Sequence, residues 1–206
     1  MTLPVGVLVS GRGSNLQAIL DACGQGPAGG PARVDARVVY VASNRAGVEA
    51  LERAARAGVA HAAFTIPERG SRAVAQAAMA DAVVRAGARL VVHAGFDHIL
   101  GPEYFVRLGD IPAINVHPAL LPLFGGRGMH GARVHEAVLA SGATESGATV
   151  HRVHPETVDL GEVVVQRRVP VLPDDDVEAL AARVLEQEHL AIVDAIRRFV
   201  PAEMPA

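Results

Sequence analysis

Short apolar runs alternate with alanine-rich stretches over the first half of the chain, and this alternation constrains the fold more than any other feature. Short apolar runs bounded by turn residues are typical of strands, whereas apolar residues three and four positions apart are typical of helices. Strands that alternate with helices build βαβ units and a parallel sheet. The pattern therefore predicts an α/β protein with a doubly wound, mostly parallel central sheet.

The elements predicted for this first half follow the alternation. The strands are Leu3–Val9, Val34–Ala42, Val59–Phe64, Leu90–Ala94 and Ile111–Val116. The helices are Asn15–Cys23, Gly47–Ala57 and Ser71–Ala86, and a Gly/Pro-rich turn spans Gly24–Pro31. The strands are apolar along their whole length, which is expected where helices cover both faces of a sheet.

The second half of the chain shows a different pattern, in which a long loop precedes a short helix and two strand-like segments. Residues Pro118–Gly131 form a long Gly/Pro-rich loop, and loops of this length inside a compact domain are usually functional. A short helix is predicted over Arg133–Ala140. The strand-like segments Ala148–Val153 and Glu162–Val169 could add an antiparallel pair at the sheet edge. A last helix, capped by Pro173–Asp176, is predicted to run to about Phe199.

Composition limits the function classes. The 206 residues predict a single domain over 1–206, and 50% hydrophobic with 20% charged residues is ordinary for a globular protein. No apolar run approaches the roughly 18 residues of a membrane span, and the start lacks the features of a signal peptide. The net charge of −3 argues against a nucleic-acid partner. We therefore predict no nucleic-acid and no membrane partner, and the single cysteine fits a reducing, cytoplasmic location.

The residue types present exclude several chemistries. The single cysteine, Cys23, forbids an internal disulfide and a cysteine-based metal cluster, and it is expected to pack rather than to react. All 19 basic residues are arginine, so a Schiff-base lysine and a P-loop are excluded. His151 and His154 are predicted to point to opposite faces of a strand, and His130 and His135 lack an acidic third ligand. No metal site is predicted.

The segment Ser10–Asn15 joins the first strand to the first helix and is rich in glycine and small polar residues. The amides and dipole of a helix N-terminus bind anions, and glycine lets the backbone approach a phosphate. The dinucleotide pattern fails because Leu16 replaces its third glycine and no acid ends the second strand. The turn therefore favours a phosphate monoester; the alternative is a plain tight turn with a Ser/Asn cap.

Asn115 and His117 end a central strand at positions i and i+2, so both side chains face the same side. A carboxamide beside an imidazole can stabilise an oxyanion, and the imidazole can also donate a proton. The alternative is a buried histidine satisfied by backbone. Asp159 would favour the imidazolium form if it came close to His117, although Asp before a Gly-containing turn usually serves the turn.

Several segments together resemble the phosphoribosylglycinamide formyltransferase family. These are SGRGSNLQAILDAC, INVHPALLP, SGATVHRV, VDLGEVVVQRRVPVLPDDD and LAARVLEQEHLAIV, and the likeness runs in register from about residue 3 to residue 195. The resemblance implies a Rossmann-like formyltransferase fold. It also implies formyl transfer from 10-formyltetrahydrofolate, a co-substrate, to the amine of 5-phosphoribosylglycinamide in purine synthesis, without a metal. The protein would be a monomer or homodimer.

The resemblance also implies roles for individual residues. Residues 1–100 would form a phosphate-binding half, and residues 101–206 a catalytic and folate-binding half. The catalytic residues would be Asn115, His117 and Asp159. The substrate phosphate would lie on Gly13, Ser14 and Asn15, and the ribose and glycinamide by Gln187 and Glu188. The folate would contact Arg72, Asp97, His98, Ile99, Leu100, His154 and Val158.

The chain departs from the family in three places, and three rivals remain. The family commonly has Met-Arg at Asp97-His98, a shorter loop after residue 122, and one residue fewer before Asp159. Methionyl-tRNA formyltransferases and formyltetrahydrofolate hydrolases share the catalytic segment but carry an extra domain, which this chain is not expected to have. The third rival is a non-catalytic module that binds a phosphorylated metabolite.

Overall fold

The structure, a computed structural model, describes residues 2–27 and 33–201. The strands are β1 (Leu3–Val9), β2 (Ala36–Ser43), β3 (His61–Ala63), β4 (Leu90–His93), β5 (Ala113–His117), β6 (Glu145–Arg152) and β7 (Val163–Pro170). The helices are α1 (Ser14–Ala22), α2 (Glu49–Arg56), α3 (Ile66–Arg69), α4 (Arg72–Arg85), α5 (Pro102–Leu108), α6 (Ala132–Ala140) and α7 (Val177–Arg197).

The strands form a seven-stranded sheet in the order β3-β2-β1-β4-β5-β6-β7. The pairs β1–β2, β1–β4 and β2–β3 are parallel, whereas β5–β6 and β6–β7 are antiparallel. This arrangement confirms the predicted α/β class, the mostly parallel sheet and the antiparallel addition in the second half. In this order β5 pairs with β6, so that side chains at the end of β5 lie beside side chains of β6.

The predicted boundaries are wrong where local chemistry overrides the apolar pattern. The fifth strand begins at Ala113 rather than Ile111, because Pro112 has no N–H to give to a sheet. Strand β6 begins at Glu145, three residues before the predicted Ala148, since the polar Ser146 and the small Gly147 are buried although neither is apolar. The turn predicted over Gly24–Pro31 falls partly on residues 28–31, outside the described residues.

Two helices were absent from the prediction because each is too short for a periodic pattern. Helix α3 has four residues and is capped by Thr65, whose side chain accepts a hydrogen bond from the amide of Glu68. Helix α5 has seven residues and starts at Pro102, where a fixed φ suits the first helical position and the missing N–H costs nothing.

The contacts divide the chain into two compact units, one formed by the residues up to Ala113 with those from Ile196 onward, the other by Ile114–Ala195. In the first unit, β1 buries Val5, Val7 and Leu8 completely. Helix α1 buries Leu16, Ile19 and Leu20, the i, i+3, i+4 spacing of one helical face. Each such side chain contributes roughly 1.5–3 kcal/mol by leaving water.

In the second unit, β6 lies between β5 and β7 and is buried over most of its length. Helix α7 buries Leu180, Val184 and Ile192 completely. As predicted, its start is capped by an aspartate, because Asp176 Oδ1 accepts a hydrogen bond of 2.8 Å from the amide of Ala179.

Among the described residues, we find no helix with the length and apolar character needed to cross a bilayer.

Gly147 generates a stability prediction. A Cβ at this position would lie 2.0 Å from the carbonyl oxygen of Arg167 on the paired strand and 2.7 Å from Leu120 Cδ2. The paired backbone cannot yield without loss of the ladder, so Gly147→Ala should lower the free energy of unfolding by about 1–3 kcal/mol. Urea denaturation measures the change.

Gly11→Ala is the matched control, because a Cβ at Gly11 meets no atom within 4 Å. Its unfolding free energy should remain within about 0.5 kcal/mol of the parent. Equal loss of unfolding free energy in Gly147→Ala and Gly11→Ala would contradict the close pairing of β6 with β7 at Gly147.

Candidate active site

The turn between β1 and α1 has its carbonyl groups tied to the protein. Ser10 O accepts from the Arg45 side chain at 3.1 Å, and Gly11 O accepts from the amide of Ala50 at 3.1 Å. Arg12 O accepts from Arg53 Nε at 2.9 Å. With these oxygens bound within the protein, the positive end of the α1 dipole is the part of the turn that attracts negative charge. This arrangement suits an anion.

Gly13 is required at the N-cap of α1 for two reasons. Its φ of 75° lies in the left-handed region that favours glycine. A Cβ here would also stand 2.7 Å from Ala50 Cβ, at the start of α2. The predicted phosphate residues Ser14 and Asn15 form the first turn of α1, and Asn15 is buried. The sequence prediction thus has a geometry that fits it.

Four residues that follow three strands of the first unit are joined beside this turn. The amide of Asp97 donates to Ser10 Oγ at 3.0 Å. Its carboxylate accepts from Asn44 Nδ2 at 3.0 Å and from the Arg45 guanidinium. Burial acts to raise the pKa of Asp97, but the hydrogen bonds from Asn44 and Ser10 and the charge of Arg45 outweigh it and lower the pKa below its usual value.

In the second unit, His117 ends β5 and its side chain is only 4% exposed. Its Nε2 lies 2.8 Å from the carbonyl oxygen of Phe124, and since a carbonyl can only accept, the proton belongs on Nε2. Its Nδ1 lies 3.6 Å from Asp159 Oδ2. Burial lowers the pKa of His117, and the charge of Asp159 offsets this in part.

Asp159 occupies an unusual backbone position to reach this histidine. Its φ is 57°, a left-handed conformation that aspartate tolerates better than most residues. Its carboxylate is 10% exposed and accepts a hydrogen bond of 2.9 Å from the amide of Gly126. Burial would raise the pKa of Asp159, but the hydrogen bond from the Gly126 amide and the charge interactions with His117 and His151 hold this pKa below its usual value. The predicted proximity of Asp159 to His117 is therefore present.

Sequence reasoning missed His151, which it weighed only as a metal ligand. On β6, His151 stands opposite Asn115 in the ladder. Its Nδ1 donates to the carbonyl of Arg152 at 2.9 Å, so in the neutral ring Nε2 is the acceptor for Asn115 Nδ2 at 3.2 Å. The same Nε2 lies 3.4 Å from Asp159 Oδ1. One carboxylate thus faces both imidazoles, and the signal that reveals this is strand register, which local sequence does not contain.

A third imidazole, that of His135, lies close enough to His117 to interact with it electrostatically. His135 on α6 is buried, and burial followed by the proximity of His117 lowers its pKa. Both effects favour the neutral form of this ring.

Buried hydrogen bonds hold the segment that follows β5. Thr149 Oγ1 donates to Ala119 O at 2.6 Å and accepts from the amide of Leu121 at 3.0 Å. Gln166 Nε2 contacts Thr149 Oγ1 at 3.0 Å and Leu121 O at 3.1 Å. The start of the loop Pro118–Gly131 is therefore fixed by β6 and β7, and the loop contains no helix or strand, as predicted.

The residues predicted to contact folate lie in three segments. Arg72 is exposed at the first residue of α4. The segment 97–100 follows β4, where Gln76 accepts from the amide of Gly101 at 2.8 Å and donates to Ile99 O at 2.9 Å. In the second unit, His154 is exposed beyond the end of β6 and pairs with Thr157 in an isolated bridge, so the prediction that it lies on the strand is wrong.

The two remaining predicted residues, Gln187 and Glu188, are half-buried on α7. Over residues 2–27 and 33–201 no group of three His, Cys, Asp or Glu side chains is arranged to hold a metal ion. Cys23 follows α1 instead of lying on it, and burial raises the pKa of its thiol to about 11, so the unreactive thiol form is favoured.

Comparison with known proteins gives a consistent answer. Residues 4–196 match the formyl transferase family. The chain is 38% identical over 205 residues to the phosphoribosylglycinamide formyltransferase of Schizosaccharomyces pombe, covering 94% of this chain and 95% of that protein. It is 43% identical over 192 residues to the trifunctional purine biosynthetic protein adenosine-3 of Drosophila pseudoobscura, covering 93% of this chain but only 13% of that longer protein.

The solved structures agree with the sequence matches. Glycinamide ribonucleotide transformylase 1 from Symbiobacterium toebii superposes with a TM-score of 0.86 at 37% identity, covering 96% of this chain and 87% of that one. The sheet order and the antiparallel addition are thus those of a known enzyme architecture. From its family match and its relatives of similar length, we conclude that the chain belongs to the formyl transferase family, among the phosphoribosylglycinamide formyltransferases.

Proposed function

We propose that this protein transfers the formyl group of 10-formyltetrahydrofolate to the amine of 5-phosphoribosylglycinamide in purine biosynthesis. The observation that carries the proposal is the cluster of Asn115, His117, His151 and Asp159 around the end of β5. The phosphoribosylglycinamide formyltransferase of Schizosaccharomyces pombe, matched over 95% of its length, supports the same reaction.

Asn115 and His117 are the groups suited to the formyl oxygen. The Asn115 amide donates one N–H to His151 and has a second to give, and His117 carries its proton on Nε2. When the substrate amine attacks the formyl carbon, negative charge develops on the oxygen, and both donors stabilise it. In this structure His117 Nε2 donates its hydrogen bond to the Phe124 carbonyl, so the formyl oxygen of the substrate replaces that carbonyl as the acceptor.

His117 and Asp159 are the groups suited to moving the proton. In the protein alone, burial favours neutral His117. A developing oxyanion beside the ring raises its pKa, and Asp159 at 3.6 Å stabilises the resulting imidazolium. The imidazolium donates through Nε2 to the oxyanion, and the proton that the attacking amine loses passes through water to the leaving folate nitrogen. No covalent intermediate with the protein is needed.

The remaining predicted contacts complete the proposal. The turn at Gly13, Ser14 and Asn15 holds the phosphate, and Gln187 with Glu188 serves the ribose and glycinamide. On the folate side, Asp97 contributes through its backbone carbonyl, because its amide donates to Ser10 and its carboxylate is occupied by Asn44 and Arg45. The remaining residues proposed for folate are Arg72, His98, Ile99, Leu100, His154 and Val158. The cytoplasmic location, and the monomer or homodimer state, remain predictions.

The direct test is an acceptor assay. Purified protein with 10-formyltetrahydrofolate should deformylate the folate when 5-phosphoribosylglycinamide is added, and not when methionyl-tRNA is added. His117→Ala should lower that turnover by about 10²–10³-fold, the usual effect of a lost oxyanion donor. Absorbance of the folate product follows the reaction.

His61→Ala is the matched control, because it removes an exposed imidazole from β3. Its turnover should stay within about twofold of the parent, as expected for a surface substitution. Faster transfer to methionyl-tRNA, or turnover in His117→Ala equal to that of His61→Ala, would refute the proposed acceptor or the proposed role of His117 respectively.

Asp159→Asn generates a prediction for pH dependence. The substitution keeps the shape but removes the charge that raises the pKa of His117, so this pKa falls further below its ordinary value. Turnover that needs the imidazolium declines as pH rises through that pKa. The decline should therefore begin at lower pH in the variant, with turnover at pH 7.5 reduced by about tenfold to a hundredfold.

The measurement is kcat as a function of pH between about 5 and 9, the range that brackets an ordinary histidine pKa. Asp110→Asn, which removes an exposed carboxylate, should reproduce the parent profile. A profile of Asp159→Asn that overlays the parent would mean that Asp159 serves only the backbone turn.

A further inference from the structure

The network of Asp97, Asn44, Arg45 and Ser10 joins three adjacent strands at their carboxyl ends. Ser10 directly follows β1, Asn44 and Arg45 follow β2, and Asp97 follows β4, while β1 lies between the other two in the sheet. Ser10 and Asn44 are 3% and 8% exposed, so two of the four members are buried. The hydrogen bonds therefore tie the residues that follow β2 and β4 to the turn that follows β1.

Two contacts attach this network to the phosphate turn itself. Ser10 accepts the Asp97 amide on its side-chain oxygen and the Arg45 guanidinium on its backbone oxygen. Arg45 reaches that backbone oxygen with Nη1 while its Nη2 binds Asp97 Oδ2. The carboxylate thereby fixes the guanidinium that holds the first carbonyl of the turn away from the ligand.

The carboxylate has no donor capacity of its own when ionised, and both of its oxygens accept hydrogen bonds within the protein. Its low pKa keeps it ionised throughout the neutral range. A negative charge close to an anion site weakens anion binding by simple Coulomb repulsion. If Asp97 favours anion binding, it must therefore do so by holding the turn in shape. Removal of the Asp97 carboxylate then weakens anion binding if positioning dominates, and strengthens it if charge repulsion dominates.

We propose that Asp97 is a positioning residue which, through Arg45 and Ser10, holds the turn Ser10–Asn15 in the geometry that binds the phosphate of the substrate. The inference rests on the proposed function only for the identity of that substrate. The anion-binding geometry itself can be tested with inorganic phosphate.

The test is a double-substitution cycle with Asp97→Ala, Arg45→Ala and the combined variant. Inorganic phosphate is titrated into each protein while the amide NMR signals of Ser14 and Asn15 are followed. Each single substitution should raise the phosphate dissociation constant by about three- to tenfold, the scale of a charge-assisted network of partly exposed groups. The combined variant should be no weaker than the weaker single one, because the two residues act as one unit.

Asp97→Asn separates positioning from charge. The amide keeps the shape and one acceptor oxygen, so positioning predicts a dissociation constant intermediate between those of the parent and Asp97→Ala. A purely electrostatic role predicts the reverse, tighter binding than the parent once the negative charge is gone. Tighter binding in either Asp97 variant, or effects that multiply in the combined variant, would overturn the proposal.

Controls and kinetics complete the design. Glu145→Ala and Arg168→Ala break an exposed ion pair of 2.7 Å between β6 and β7 and should leave phosphate binding unchanged. With the natural substrates, Asp97→Ala should raise KM for 5-phosphoribosylglycinamide by about three- to tenfold, a larger change than in kcat. If the parent formylates no such acceptor while the phosphate cycle behaves as described, the proposed function fails and the positioning role stands.

Discussion

The candidate site depends on one buried carboxylate placed between two imidazoles. Asp159 lies 3.6 Å from His117 and 3.4 Å from His151. A buried charge is costly unless it is paired and hydrogen-bonded. Here the Gly126 amide donates to the carboxylate, and His117 pairs with it once the ring is protonated. Because Asp159 comes from the loop between β6 and β7, His117 from β5 and His151 from β6, the sheet order of the second unit is what brings them together.

In the first unit, the turn proposed to bind the phosphate is built without a lysine. All 19 basic residues of the chain are arginine. At the turn after β1, the side chains of Arg45 and Arg53 donate to the first and third backbone carbonyls, and the amide of Ala50 donates to the second. Positive charge is thereby used to orient the peptide groups. Their N–H ends and the start of α1 would supply the electrostatic attraction for the proposed phosphate.

The sequence predicts what depends on local order and misses what depends on strand pairing. Asn115 and His117 are identified from their i, i+2 spacing, and Gly13 from its place between a strand and a helix. His151 escapes because only the register of β5 on β6 sets it opposite Asn115. The contacts of Asp97 escape for the same reason, since its partners lie 52, 53 and 87 residues away in the chain. The placement of Asp159 near His117 was expected only from family resemblance.

The central claim is that Asp159 controls the protonation of a buried His117, and a histidine titration by ¹⁵N NMR tests it most directly. His117 should carry its proton on Nε2 when the ring is neutral, and it should titrate below the ordinary value of 6.5. In Asp159→Asn the same ring should titrate at still lower pH. A His117 that titrates at 6.5 or above, or whose pKa is unmoved when Asp159 loses its charge, would contradict the account.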